Sequence, residues 1–97
     1  MIVEQKKINH TWGQETVWAD TSDYRGSFMS IEQGQTVFDS SKISRKETIY
    51  VIYGTLVVEI SDSQHEVKKG QSFHLHEGIE RILHAPYDDV DLAVVSG

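Results

Sequence analysis

Short runs of β-branched and aromatic residues, each ended by a glycine or a small polar turn, constrain this chain more than any other feature. Turn signals recur about every 8–12 residues, a spacing typical of an all-β sandwich or barrel and not of β-α-β units. Helical periodicity is scarce, and a single proline, Pro86, interrupts the chain. The sequence therefore predicts one all-β domain over residues 1–97, without repeats or linkers.

The two clearest predicted strands are residues 47–53 and 55–60, and Gly54 between them allows a turn or a bulge. Shorter segments complete the series, and they are 16–19, 27–31, 35–38, 64–68, 71–76, 79–85 and 91–95. The run 49–52 is apolar on both strand faces, which indicates a strand covered on both sides. We expect a homodimer in which the N-terminal strand and these central strands supply the contact.

Acidic residues outnumber basic ones, with 15 Asp and Glu against 9 Lys and Arg and a formal net charge of −6. A surface that binds phosphate backbones or anionic lipid needs clustered positive charge, so neither nucleic acid nor membrane is an expected partner. The absence of cysteine excludes disulfides, thiolate metal ligands and a thiol nucleophile. No signal peptide and no membrane span is recognisable, so a cytoplasmic location is expected.

Glycines at fixed separations mark two motifs. The first motif consists of Gly34, Ser40, Lys42, Glu47 and Gly54 with their intervening residues. The second covers residues 70–85 and contains Gly70 and Gly78. Both resemble the two motifs of the cupin superfamily, in which glycines stand at the same separations. A resemblance to the small mannose-6-phosphate isomerase-like cupins, of type II, rests on residues 11–13, 47–51 and 95–96.

The resemblance implies a cupin jelly roll, a double-stranded β-helix barrel of two facing antiparallel sheets. It also implies that four inward side chains hold a divalent metal, and their positions here are Ser40, Lys42, Glu47 and Arg81. Protonated lysine and arginine have no lone pair to donate. One carboxylate and one hydroxyl do not hold zinc, iron or nickel against water. We therefore expect a barrel without metal and without any other cofactor.

The substituted positions suggest a binding site for a small anion. A divalent ion beside one carboxylate leaves a charge of +1, and Lys42 with Arg81 beside Glu47 also leaves +1. We expect Arg81 and Lys42, steadied by Glu47, to bind a sugar phosphate or a carboxylate, with Ser40 as a further contact. Tyr53 shares strand parity with Glu47, so it is expected to face the barrel and stack on a carbohydrate. Alternatively, the charged residues form a structural ion cluster that binds nothing.

Three histidines provide an alternative, displaced metal site. His74 and His76 lie two residues apart on one face of a strand, and His84 would approach from a neighbouring strand. Counted from an inward Arg81, however, His84 points outward, so this site would lie outside the barrel. The competing interpretation is that all three are surface or interface histidines.

Three functions remain open at this point. The first, which we favour, is a metal-free module that binds a small anionic or carbohydrate-type ligand in the barrel. The second is a sugar-phosphate isomerase in which Glu47 or a histidine moves a proton, and the sequence does not assign which of them is catalytic. The third is a structural or interaction protein that binds no ligand. The first is favoured because the substitutions affect the metal-ligand positions and leave the glycines in place.

Overall fold

The structure of the chain is a computed structural model that describes residues 1–38 and 43–97. Ten strands and no helix occur in these residues, so the prediction of an all-β fold is confirmed. The strands are β1 (Lys6–His10), β2 (Gly13–Asp20), β3 (Arg25–Ile31), β4 (Thr36–Phe38), β5 (Glu47–Tyr53), β6 (Thr55–Ile60), β7 (Ser63–Lys68), β8 (Ser72–Leu75), β9 (Ile82–His84) and β10 (Val90–Ser96). Accordingly, the described ranges contain no helix able to cross a membrane.

The strands form two antiparallel sheets, as predicted. A six-stranded sheet has the order β1-β2-β3-β10-β5-β8, and a four-stranded sheet has the order β4-β9-β6-β7. Their inner faces pack on each other around one core, to which β5 contributes Ile49 and Val51 and β6 contributes Leu56 and Val58, all at 0% exposure. Alternation along the strands explains this arrangement, because residues two apart point to the same face.

Two strands differ from the segments predicted for them. β9 is shorter than the predicted 79–85, because the chain before it bonds to a loop: the Ile43 amide donates to the Ile79 carbonyl, and the Gly78 amide donates to the Ile43 carbonyl. β1 lies outside the predicted segments because its side chains are mostly polar and exposed. Its backbone ladder with β2 holds it in the sheet.

Candidate functional site

Glu47 and Arg81 form a bidentate ion pair between the two sheets. Glu47 is the first residue of β5 and shares its inward face with Ile49 and Val51, whereas Arg81 directly precedes β9. Arg81 donates from Nε to Glu47 Oε1 at 2.5 Å and from Nη2 to Glu47 Oε2 at 3.2 Å. The two side chains are 10% and 9% exposed, respectively. The structure thus brings together two of the four residues to which the cupin resemblance pointed.

This pair does not fit a metal ion. Both oxygens of Glu47 already accept hydrogen bonds from Arg81, and a guanidinium has no lone pair for a cation. Across the described residues, no three His, Cys, Asp or Glu side chains are grouped closely enough to share an ion. The other two positions of the predicted set, Ser40 and Lys42, lie outside the described residues.

The expectation that Tyr53 faces the barrel is wrong. The pairing of β5 with β10 shifts between Asp91 and Leu92, since Leu92 pairs with Val51 while Asp91 pairs with Tyr53. Ile52 is an extra residue in β5, so the alternation of inward and outward side chains is reversed after it. Tyr53 therefore lies on the outer face, together with Asp91. Tyr53 is accordingly 54% exposed.

The structure does not bring His74, His76 and His84 together. His74 lies on β8 of the six-stranded sheet, where Nδ1 is 2.9 Å from Thr48 Oγ1. His84 lies on β9 of the four-stranded sheet, where Nδ1 is 3.0 Å from Thr36 Oγ1 and Nε2 is 2.9 Å from Glu59 Oε1. Because the two sheets face each other, their outer faces are on opposite sides of the molecule. His76 follows β8 and is exposed.

A cleft of about 290 Å³ lies beside Arg81, between the edges of the two sheets. The polar and aromatic side chains that line it are His10, Trp12, Glu15, Arg25, Phe38 and Arg81. Sequence reasoning from the motifs named Arg81 and missed the others. The alternation of side chains along a strand could have indicated Arg25, because Arg25 shares one face of β3 with the buried residues Met29 and Ile31.

Glu15 is the centre of the polar group in this cleft. It stands on the inner face of β2 and is 8% exposed. Its Oε1 lies 3.3 Å from His10 Nε2, and its Oε2 lies 3.6 Å from Arg25 Nη2. The His10 ring stacks on Trp12, with ring centroids 4.3 Å apart and an interplanar angle of 10°. Glu15 is therefore held by two side chains from two neighbouring strands.

The two arginines of the cleft differ in how they are paired. Arg81 is fixed by two hydrogen bonds to Glu47. Arg25 makes a longer contact with Glu15, and its Nε is buried without a hydrogen-bond acceptor among the described residues. Two arginines against Glu15 and Glu47 give these four side chains a formal charge of zero. The arrangement can bind an anion through the guanidinium donors that the two carboxylates do not use.

Comparisons with known proteins give matches among solved structures. No family model matches the sequence, and no curated protein matches it significantly. The hydroxypropylphosphonic acid epoxidase from S. wedmorenis superposes with a TM-score of 0.87 at 13% identity, over 100% of this chain and 59% of that chain. KdgF from Halomonas sp. superposes with a TM-score of 0.77 at 17% identity, over 97% and 86% of the two chains.

A cupin superfamily protein from Desulfitobacterium hafniense DCB-2 also superposes, with a TM-score of 0.77 at 11% identity, over 84% of this chain and 73% of that chain. Together with the two antiparallel sheets, this likeness shows that the chain has the cupin jelly-roll fold, so the predicted fold class is confirmed. At such low identities the likeness concerns the fold, and a fold does not by itself determine a function.

Proposed function

We propose that this protein is a metal-free cupin-fold module that binds a small anionic ligand, of the sugar phosphate or sugar carboxylate type, in the cleft beside Arg81. The observation that supports this most strongly is the position of Arg81, which lines the cleft while Glu47 fixes its orientation. A guanidinium has five N–H donors in a planar fork that matches carboxylate and phosphate oxygens. Glu47 accepts from two of them, and no other side chain among residues 1–38 and 43–97 accepts from the remaining three.

The size and lining of the cleft support a small, polar ligand. Its volume of about 290 Å³ is close to the lower limit for small-molecule sites, which are roughly 300–1,000 Å³. Trp12 and Phe38 add aromatic surface, which suits the C–H faces of a sugar ring. By its name, the S. wedmorenis epoxidase, which has a similar fold, acts on a phosphonic acid, a small organic anion.

Calorimetry with glucose-6-phosphate tests this proposal. We expect saturable binding that EDTA does not change, because no metal takes part in it. Arg81→Lys keeps the charge and removes the fork, so binding should weaken by at least about tenfold. Arg45→Lys is the matched control, since Arg45 donates to the Thr21 carbonyl oxygen at 3.3 Å and should leave binding unchanged. Binding that disappears with EDTA would refute the metal-free site.

A second candidate function is a sugar-phosphate isomerase of the mannose-6-phosphate isomerase type. The observation that favours it is the contact between His10 and Glu15 inside the cleft, at 3.3 Å, because such a pair can take up and return a proton. Glu47 is less suited to this role, since both of its oxygens are bonded to Arg81. An aldose–ketose assay, with and without added metal, separates the two functions. A binding module forms no product in it.

A further inference from the structure

We infer that the ligand carries a dianionic group of the phosphate monoester or phosphonate type, and that this group replaces Glu15 as the partner of Arg25. Arg25 and Arg81 would then bind the same group from two sides. This inference rests on the proposed function, because it requires the ligand to lie in the cleft beside Arg81. It adds a binding residue, Arg25, and a competing carboxylate, Glu15.

The two arginines reach one cleft from different sheets. Arg25 is the first residue of β3, in the six-stranded sheet, and faces inward together with Met29. Arg81 precedes β9, in the four-stranded sheet. Both line the same cleft of about 290 Å³. A small ligand that contacts one guanidinium is therefore within reach of the other.

Arg25 is incompletely paired in the described structure. Its Nη2 lies 3.6 Å from Glu15 Oε2, which is longer than the ~2.7–2.9 Å of a charge-assisted hydrogen bond. Its Nε is buried, and no acceptor among residues 1–38 and 43–97 lies within hydrogen-bond distance. The side chain as a whole is 42% exposed, so its other N–H donors are accessible to a ligand oxygen in the cleft.

Glu15 can leave Arg25 without losing its other contact. His10 Nε2 lies 3.3 Å from the second carboxylate oxygen, Oε1, and the stacking of His10 on Trp12 holds that ring in place. The pair of Glu47 and Arg81 has no such alternative, because it uses both carboxylate oxygens. Displacement of a carboxylate by the ligand is thus expected at Arg25 and not at Arg81.

The exchange of partners at Arg25 favours a dianion over a single carboxylate, because the ligand must compete there with the carboxylate of Glu15. A ligand carboxylate would offer Arg25 the same charge and the same two oxygens as Glu15 already does. A phosphate group carries about −1.5 to −2 charges and three acceptor oxygens at neutral pH. Its three oxygens can accept hydrogen bonds from both guanidinium groups at once. A carboxylate has only two oxygens and therefore pairs less fully with two guanidinium groups.

Calorimetry with three matched sugars tests the inference: glucose-6-phosphate, glucuronate and glucose carry a dianion, a monoanion and a hydroxyl at the same carbon. We expect glucose-6-phosphate to bind at least about tenfold more tightly than glucuronate. Glu15→Gln removes the competing charge at nearly constant shape and should tighten phosphate binding several-fold. Arg25→Met should weaken it by about tenfold or more, whereas the control Arg45→Met should not change it.

Three results would each overturn the inference: glucuronate binds as tightly as the phosphate, Glu15→Gln leaves phosphate binding unchanged or weaker, or Arg25→Met leaves it unchanged. The Glu15→Gln variant keeps the test decisive should Arg25→Met fold poorly. If neither anionic sugar binds to the unaltered protein, the proposed function fails together with this inference. If both bind but Arg25 has no influence, this inference alone fails.

Discussion

At the scale of single residues, the ion pair of Glu47 and Arg81 places two largely buried charges beside the apolar core, because Glu47 shares the inner face of β5 with Ile49 and Val51. Moving a charge out of water costs several kcal/mol for each ion, and the attraction between the ions offsets this cost only when the geometry is good. Here two hydrogen bonds join the fork of Arg81 to both oxygens of Glu47. Removal of one partner should therefore lower the free energy of unfolding more than removal of both.

The first prediction concerns this pair. Arg81→Met should lower the free energy of unfolding by about 3–5 kcal/mol, because it leaves a buried carboxylate without a partner. The double variant Glu47→Leu with Arg81→Met should lower it less, because no unpaired charge remains. Urea unfolding followed by circular dichroism measures both, with Arg45→Met as the control. A double variant that is less stable than Arg81→Met would contradict this account of the pair.

At the scale of elements, the connection from β5 to β6 depends on two local features. The shift in register between Asp91 and Leu92 turns Tyr53 to the outer face. Gly54 follows with φ at 83°, in the left-handed region, which lets the chain bend sharply from β5 in one sheet to β6 in the other. A side chain on Gly54 would also meet the backbone, because a Cβ atom there would lie 2.4 Å from the Asp89 carbonyl oxygen.

The second prediction compares two glycines that have the same φ of +83°, Gly54 and Gly34. At Gly34 a Cβ atom would meet no described atom within 4 Å. Gly34→Ala should therefore cost only the backbone strain of an L-residue, about 1–2 kcal/mol. Gly54→Ala should cost clearly more, because the Asp89 backbone must move as well. Urea unfolding of both variants tests this, and equal losses would show that crowding at Gly54 does not matter.

At the scale of the whole molecule, the six-stranded sheet has an outer face that is unusually apolar. The large exposed hydrophobic side chains on its strands are Trp18, Phe28, Tyr50, Ile52, Tyr53 and Val95, each between 41% and 54% exposed. Trp18 and Phe28 also contact each other, with ring centroids 6.0 Å apart. Large continuous apolar patches are uncommon on monomeric proteins, and they often mark an interaction surface.

The third prediction is that this face joins two copies of the chain, as we propose from the apolar character of β5 on both sides. Sedimentation velocity should give a mass near twice the 11.0 kDa of one chain. Phe28→Lys should shift the protein to the monomer, because it places a charge in the centre of the apolar face. Tyr87→Lys, at a residue 60% exposed and outside the strands, is the control. A monomeric mass for the unaltered protein would contradict the proposal.

The sequence by itself determined the all-β class and the break between strands 47–53 and 55–60 at Gly54. These follow from local rules, because strand periodicity and the conformational freedom of glycine act over a few residues. The resemblance to the cupin motifs also pointed to Glu47 and Arg81, which the structure joins. Ser40 and Lys42, to which the same resemblance pointed, lie outside the described residues.

Only the tertiary structure decided which side chains share the cleft. Glu15 and Arg25 meet because β2 and β3 are neighbours in one sheet, and Arg81 joins them because the second sheet faces the first. The position of Tyr53 was decided in the same way, by one extra residue in the pairing of β5 with β10. Pairing partners and bulges depend on contacts between residues far apart in the chain, and local periodicity contains no information about these contacts.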